Sequence, residues 1–217
     1  MMSAINQNFV NPEYKLIVYT ACAATAFAGA SLLAPWESVR MIGGTTLTGI
    51  FYATINDMVA CRDCIEYFTF GHVWDGQKLD KRPIMTLDPN LNAIAWGMIA
   101  SWHVSALAGV LFAAVARLPY AAVKLSTRQI APYLVGSAIA LCTFAHVTVR
   151  VLDSWLKELE KNGGLDKVWG DVPSDYKAKF MSVDVRNFVG FVGLGVLGIA
   201  LSVLMVTTRL GLTPRLF

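Results

Sequence analysis

The sequence predicts an all-α protein, a polytopic bundle of about five transmembrane helices forming one domain over residues 1–217. Three observations predict it. Of the 217 residues, 55 % are hydrophobic and only 15 % charged, against about 25 % charged in soluble domains, so the polar surface that water demands is missing. Runs at 16–33, 93–116, 130–149 and 188–208 are uncharged, and one at 41–66 is cleanly apolar as far as Ile55; they approach or reach the roughly 20 residues that cross a bilayer. Between them, the polar residues collect into two long loops, 67–92 and 153–185, which the two crossings that separate them place on one face. The lipid bilayer is thus the first expected partner. A net charge of +3 without any Lys/Arg run argues against a nucleic-acid ligand.

The elements follow in order. The first 14 residues are a polar tail in which Asn11 and Pro12 can start a helix. The tail has no Lys or Arg and contains Glu13, the wrong start for a cleaved signal peptide, so the first helix is expected to be retained. The span 16–33 is crowded with Ala, Gly, Ser and Thr, residues that let helix backbones approach inside a bundle. Pro35 and Trp36 end it, and a tight turn is expected around Glu37–Arg40. The second span runs cleanly apolar only from Met41 to Ile55; if it stays helical to Glu66, Asn56 and Asp57 lie about 5 Å inside the boundary.

The third span, 93–116, is uncharged but carries Trp96, Trp102 and His103, and a basic connector with Arg117, Lys124 and Arg128 follows. Pro132 is tolerable in the first turn of the fourth span, which contains Cys142 and His146 and leads to Arg150 and Asp153. In 153–185, Asn162-Gly163-Gly164 reads as a break. Trp155, Leu156, Leu159, Val168 and Trp169 read as residues that could lie along the membrane interface. The fifth span, 188–208, carries Gly190, Gly193, Gly195 and Gly198, a close-packing face.

Orientation follows from the basic residues flanking the spans. The long-loop face carries 12 Lys/Arg with 14 Asp/Glu, the other 6 Lys/Arg with only Glu37. Short flanking segments dominate the positive-inside rule. On that basis the short basic connectors lie in the cytoplasm, with the N-terminus outside and the C-terminus cytoplasmic.

Ionisable groups within a membrane are costly and mark candidate sites. On a helical wheel Asp57, Cys61 and Cys64 share one face of the second span, while Asn56, Asp63 and Glu66 share another. Cys142, His146, Arg150 and Asp153 form a stripe on the fourth. Pointing these stripes at each other gives a polar pocket of Asn56, Asp57, Cys61, Cys64, Glu66, His72, His103, His146 and Arg150, open to the long-loop side. Asp57 and His103, with Glu66 and His72, supply a mixed N/O set suited to a transition metal.

Each element also has a plainer reading. Cys61-Arg-Asp-Cys64 lacks the second pair of a zinc site and reads equally as two structural thiols. Arg62 and Glu66 stand at salt-bridge spacing. His103 reads equally as a core histidine donating to a carbonyl, and His146, Arg150 and Asp153 as a network that orients helix ends.

The block Asn56-Asp57, Cys64-Ile65-Glu66-Tyr67-Phe68-Thr69 and Gly71-His72 resembles the signature of a family of bacterial multi-pass inner-membrane proteins of uncharacterised activity. In that family an (H/N)D motif, then EYFT and GH, ends the second helix. The likeness extends loosely through Trp96-Gly97, Trp102, Arg186-Asn187 and Gly190. It implies Asp57, Glu66 and His72 as site residues. The family often has His where this chain has Asn56 and Arg62, which removes two potential ligands. Three functional readings follow. The first is a structural or accessory subunit of a membrane assembly, joined to other subunits or itself through small-residue faces. The others are a metal-dependent or redox enzyme using the carboxylate–histidine cluster, and a small proton-coupled transporter with Asp57 and His103 as relay groups.

Overall fold

The computed structural model describes residues 35–71, 88–168 and 172–213. The expected first span, with Cys22, and also His72 and Trp169 lie outside them. The described residues are helical, with no strand among them. They form four long α-helices: α1 (Trp36–Asp63), α2 (Pro89–Arg117), α3 (Thr127–Lys161) and α4 (Lys177–Arg209). A π-helical turn, Tyr67–Gly71, follows α1, and a 3-10 turn, Ser174–Tyr176, precedes α4. Three helices, Pro89–Arg117, Thr127–Lys161 and Ser174–Arg209, are long and apolar enough to cross a membrane. They fit an integral membrane protein in contact with lipid. In α1 the run is diluted by Thr45, Thr46, Thr48, Tyr52, Thr54, Asn56 and Asp57.

Local chemistry sets the helix ends. Asp88 caps α2, its carboxylate accepting from the Asn90 and Leu91 N–H groups at 2.8 and 2.9 Å, with Pro89 in the first turn where its missing donor costs nothing. Ser126 and Gln129 form a capping box on α3. The expected turn at Glu37–Arg40 is instead the first turn of α1. Glu37 reaches across to the start of α3, accepting from the Thr127 N–H and hydroxyl, both at 3.0 Å. A carboxylate there satisfies orphan donors at a positive helix end.

Two further expectations are corrected. Helix does not run unbroken to Glu66: at Cys64 the backbone turns extended (φ −156°, ψ 90°) before the π-turn. The polar stretch 153–185 is largely helical, because α3 continues to Lys161 and α4 begins at Lys177. At 1.5 Å per residue α3 is about 52 Å long, well beyond a hydrocarbon core of about 30 Å, so a helical hairpin projects past it. Leu156, Leu165 and Ala178 form a small core within that hairpin, whereas Trp155 and Val168 stay exposed. Gly163, with φ +69°, makes the turn after α3.

α1 and α2 form the closest pair. A Cβ on Gly97 would stand 2.7 Å from Thr54 Cα, and one on Gly109 2.8 Å from Ile42 Cα. On α2, Gly97, Ser101, Ser105 and Gly109 recur every four residues and face α1 with almost no side-chain bulk. The pattern was there to be read. It lay hidden between the more conspicuous Trp96, Trp102 and His103. On α4, Gly190 lies under Tyr52 and Gly193 under Leu141, while Gly195 meets nothing.

Candidate functional site

The site grows from the last turns of α1. Tyr52 and Asn56 are one helical turn apart, with Asp57 beside them, and all three are buried at 5, 7 and 8 % exposure. Asn56 donates to Asp57 Oδ1 at 3.5 Å and lies 3.4 Å from Asn187 Oδ1 on α4. Both contacts are at the long limit of hydrogen bonding. The three side chains head a cavity of about 210 Å³ between α1, α2 and α4, with Tyr67, Phe68 and Trp96 also on its wall. The Tyr52 hydroxyl is buried and has no hydrogen-bond partner among the described residues. It sits where only Gly190 leaves room, since a Cβ there would be 2.6 Å from Oη.

On the long-loop side, two polar links tie α1 and the π-turn to α4. Arg186, only 2 % exposed, pairs with Asp63 at 3.0 Å, and the Tyr67 hydroxyl donates to Asp184 at 2.7 Å. The Arg186 Nε remains without an acceptor. The pairing of Arg186 with Asp63 was not read from the sequence, which placed Asp63 only on a face with Asn56 and Glu66. Its only signal was opposite charge on segments more than 100 positions apart, which no local spacing connects.

The structure distributes the sequence candidates unevenly. Asn56 and Asp57 are brought together at the cavity. Cys61 and Cys64 are buried as free thiols in a core cluster with Ala60, Phe68, Ala93, Phe180 and Val183. The Cys64 thiol faces Glu66 at 3.6 Å. The expected Arg62–Glu66 pair does not form: Arg62 donates to the Met58 carbonyl and to Asn90, both at 2.6 Å. An i,i+4 pair needs continuous helix, and the helix breaks between them at Cys64.

His103 is exposed, with its ring edge-on to Trp102 at 5.7 Å. Gly97, Ser101 and Ser105 point at α1, and at 100° per residue His103 falls on the opposite side of α2. His146 is half-buried and Arg150 exposed, and neither lines the cavity. The α3 stripe is closed locally instead, Asp153 pairing with Lys157 at 2.7 Å. Among the described residues no three His, Cys, Asp or Glu side chains are grouped so as to hold a metal ion. Of the metal set, Asp57, Glu66 and His103 therefore stand apart, and His72 lies outside the described residues.

Comparison with protein-family models, with curated proteins and with solved structures gave no match. What the site can do must come from its own chemistry. A buried carboxylate, two phenols, two serine hydroxyls and two carboxamides line a cavity with largely apolar walls, and no imidazole or thiol is among the described lining residues. That set can bind and orient.

Proposed function

We propose that this chain is a non-enzymatic integral membrane protein, a structural or accessory subunit of a membrane assembly, whose cavity at Asp57 is a recognition site. The observation that carries the reading is the state of Asp57 and Tyr52. Both are more than nine-tenths buried beside a cavity, the carboxylate with one long contact from Asn56 and the hydroxyl with none. Groups so placed are expensive in a membrane, and a bound ligand would offset the cost. The subunit role draws support from the broad apolar surfaces of α2, α3 and α4, where Leu107, Ile139, Phe188 and Ile199 are exposed.

The same reading takes five crossings, with residues 16–33 as the first and α1 as the second, sheltered by its neighbours. The resemblance carried by Asn56-Asp57, Glu66-Tyr67-Phe68-Thr69 and Gly71-His72 supports a bacterial inner membrane. The basic connectors around Arg117, Lys124 and Arg128 support a cytoplasmic C-terminus.

The test is light scattering and elemental analysis on protein purified in mild detergent. The expected result is a defined assembly, with itself or a second membrane protein, carrying less than stoichiometric metal. A monomer holding one equivalent of a transition metal, or absorbing beyond the aromatic band, would establish the metal or redox enzyme instead.

A further inference from the structure

The cavity at Asp57 does not end at its polar head. A second hollow of about 340 Å³ adjoins it, sharing Gly49, Tyr52, Ser105 and Phe191 on its wall and extending past Phe112 to Thr45 and Leu201. From Asp57 back to Thr45 along α1 is about 18 Å by helical rise. Two of the hydroxyls in this second hollow, those of Thr45 and Thr48, bond back to carbonyls of their own helix at 2.8 Å, and apart from the Tyr52, Ser105 and Ser137 hydroxyls the rest of its wall is apolar. The trough is therefore an apolar channel with one polar end. Asp57 is the one charged group among the described residues that line either part.

We propose that this site binds a single-chain, long-chain primary amine, with its ammonium on Asp57 and its alkyl chain lying along α1 towards Thr45. The inference rests on reading the cavity as a recognition site and names what it recognises. The head end offers acceptors to such a ligand: the Asp57 carboxylate, the Tyr52 Oη and the Asn187 Oδ1. An ammonium has three N–H donors to place on them. Charge neutralisation inside the membrane is mutual, because ammonium and carboxylate are each costly alone and far less so as a hydrogen-bonded pair.

The same lining argues against other amphiphiles. A fatty acid would set a second carboxylate against Asp57. An aminophospholipid would bring its phosphate there with no Lys or Arg on the wall to meet it. Arg186, the nearest buried cation on α4, is already held by Asp63.

The test uses the full chain in phosphatidylcholine nanodiscs, with Trp96 on the cavity wall as the reporter and brominated hexadecylamine as the quencher. Wild-type protein is expected to show a saturable quenching component, absent in Trp96→Phe, above the linear component of simple partition into lipid. Asp57→Asn should weaken the apparent affinity about thirtyfold and Tyr52→Phe about threefold, the scales of a charge-assisted and a neutral hydrogen bond. Both substitutions are nearly isosteric, and circular dichroism checks that the helices persist.

Equal affinity for brominated hexadecanoic acid, undiminished binding in Asp57→Asn, or quenching that never saturates would each overturn the proposal. The last is also what is expected if another part of the chain fills the trough. Saturable quenching of equal strength by a brominated phosphatidylethanolamine would overturn the single-chain ligand. Such failures, in a protein that still assembles without metal, remove the ligand class alone. A metal-bearing monomer removes the recognition reading beneath it.

Discussion

Arg186 and Arg209 lie 23 residues apart on α4, about 35 Å by helical rise, and both are almost completely buried, at 2 and 3 % exposure. Arg209 is fully engaged. Its Nε donates to the Val123 carbonyl at 2.7 Å, its Nη1 to Val115 at 2.5 Å, and its Nη2 to Leu118 and Ala121 at 2.6 and 3.2 Å. The Tyr120 ring covers it at 4.0 Å. The last residue of α4 thereby satisfies the free carbonyls at the end of α2 and in the connector beyond.

Arg186 has a single carboxylate partner and an Nε without one, and a turn or two away Asp57 and Tyr52 are less well served still. One end of the bundle is saturated and the other is left short. Saturation at Arg209 marks a structural lock. On the proposed reading, incomplete satisfaction around Asp57 leaves a place for a ligand.

That contrast can be broken most forcefully at the lock. Arg209→Ala should cost about 3–5 kcal/mol, since it removes an almost fully buried guanidinium and the bonds it donates to four carbonyls at once. Denaturation in mixed SDS micelles measures it. Asp63→Ala comes next, at about 2–3 kcal/mol, because it leaves the Arg186 charge buried and unpaired while Asp63 itself was partly exposed. Adding Arg186→Met to that variant should recover most of the loss. A double mutant no better than Asp63→Ala would show that the pair is not the source of the cost. Gly97→Val forces a side chain into the α1 backbone at Thr54 and should cost about 2 kcal/mol, visible as a lowered unfolding midpoint.

A smaller effect sharpens the contrast from the saturated side. Glu37, in the first turn of α1, is held below the ordinary glutamate value of 4.5. The Thr127 N–H is the main cause and the Thr127 hydroxyl the next, with partial burial opposing them. A carboxylate with a lowered pKa stabilises the fold fully above its unfolded value and loses that contribution as pH falls through its folded value. The unfolding midpoint followed from about pH 6 to about pH 3 should therefore drop in that acidic window. Glu37→Gln should remove that part of the drop and leave neutral pH behaviour otherwise similar.

Helices were legible in the sequence because hydrocarbon leaves few alternatives: an uncharged run of the right length can only be a buried or lipid-facing helix. The centres of α2, α3 and α4 follow from that rule. Their outer ends did not, because the polar residues from Asp153 to Lys161 and from Lys177 to Asp184 read as loop when only apolar length is counted. Their helicity comes from propensity and from the hairpin core at Leu156, Leu165 and Ala178.

At the site, Asn56 and Asp57 were legible from their cost. Tyr52 was not, since a tyrosine in an apolar helix gives no sign of whether its hydroxyl finds a partner. His103 and His146 stand away from the cavity for a geometric reason. His103 has the right depth, but depth says nothing about azimuth, and the small-residue face Gly97–Ser101–Ser105–Gly109 had already fixed which side of α2 meets α1.

The most direct measurement places Asp57→Asn beside Arg209→Met in the same SDS unfolding titration, without added ligand. A carboxylate kept for a ligand contributes nothing to the empty fold, so the asparagine variant should unfold at the wild-type midpoint or slightly above it, while Arg209→Met unfolds well below. If Asp57→Asn instead falls as far as Arg209→Met, Asp57 is a structural partner like any other and the distinction between the two ends is lost.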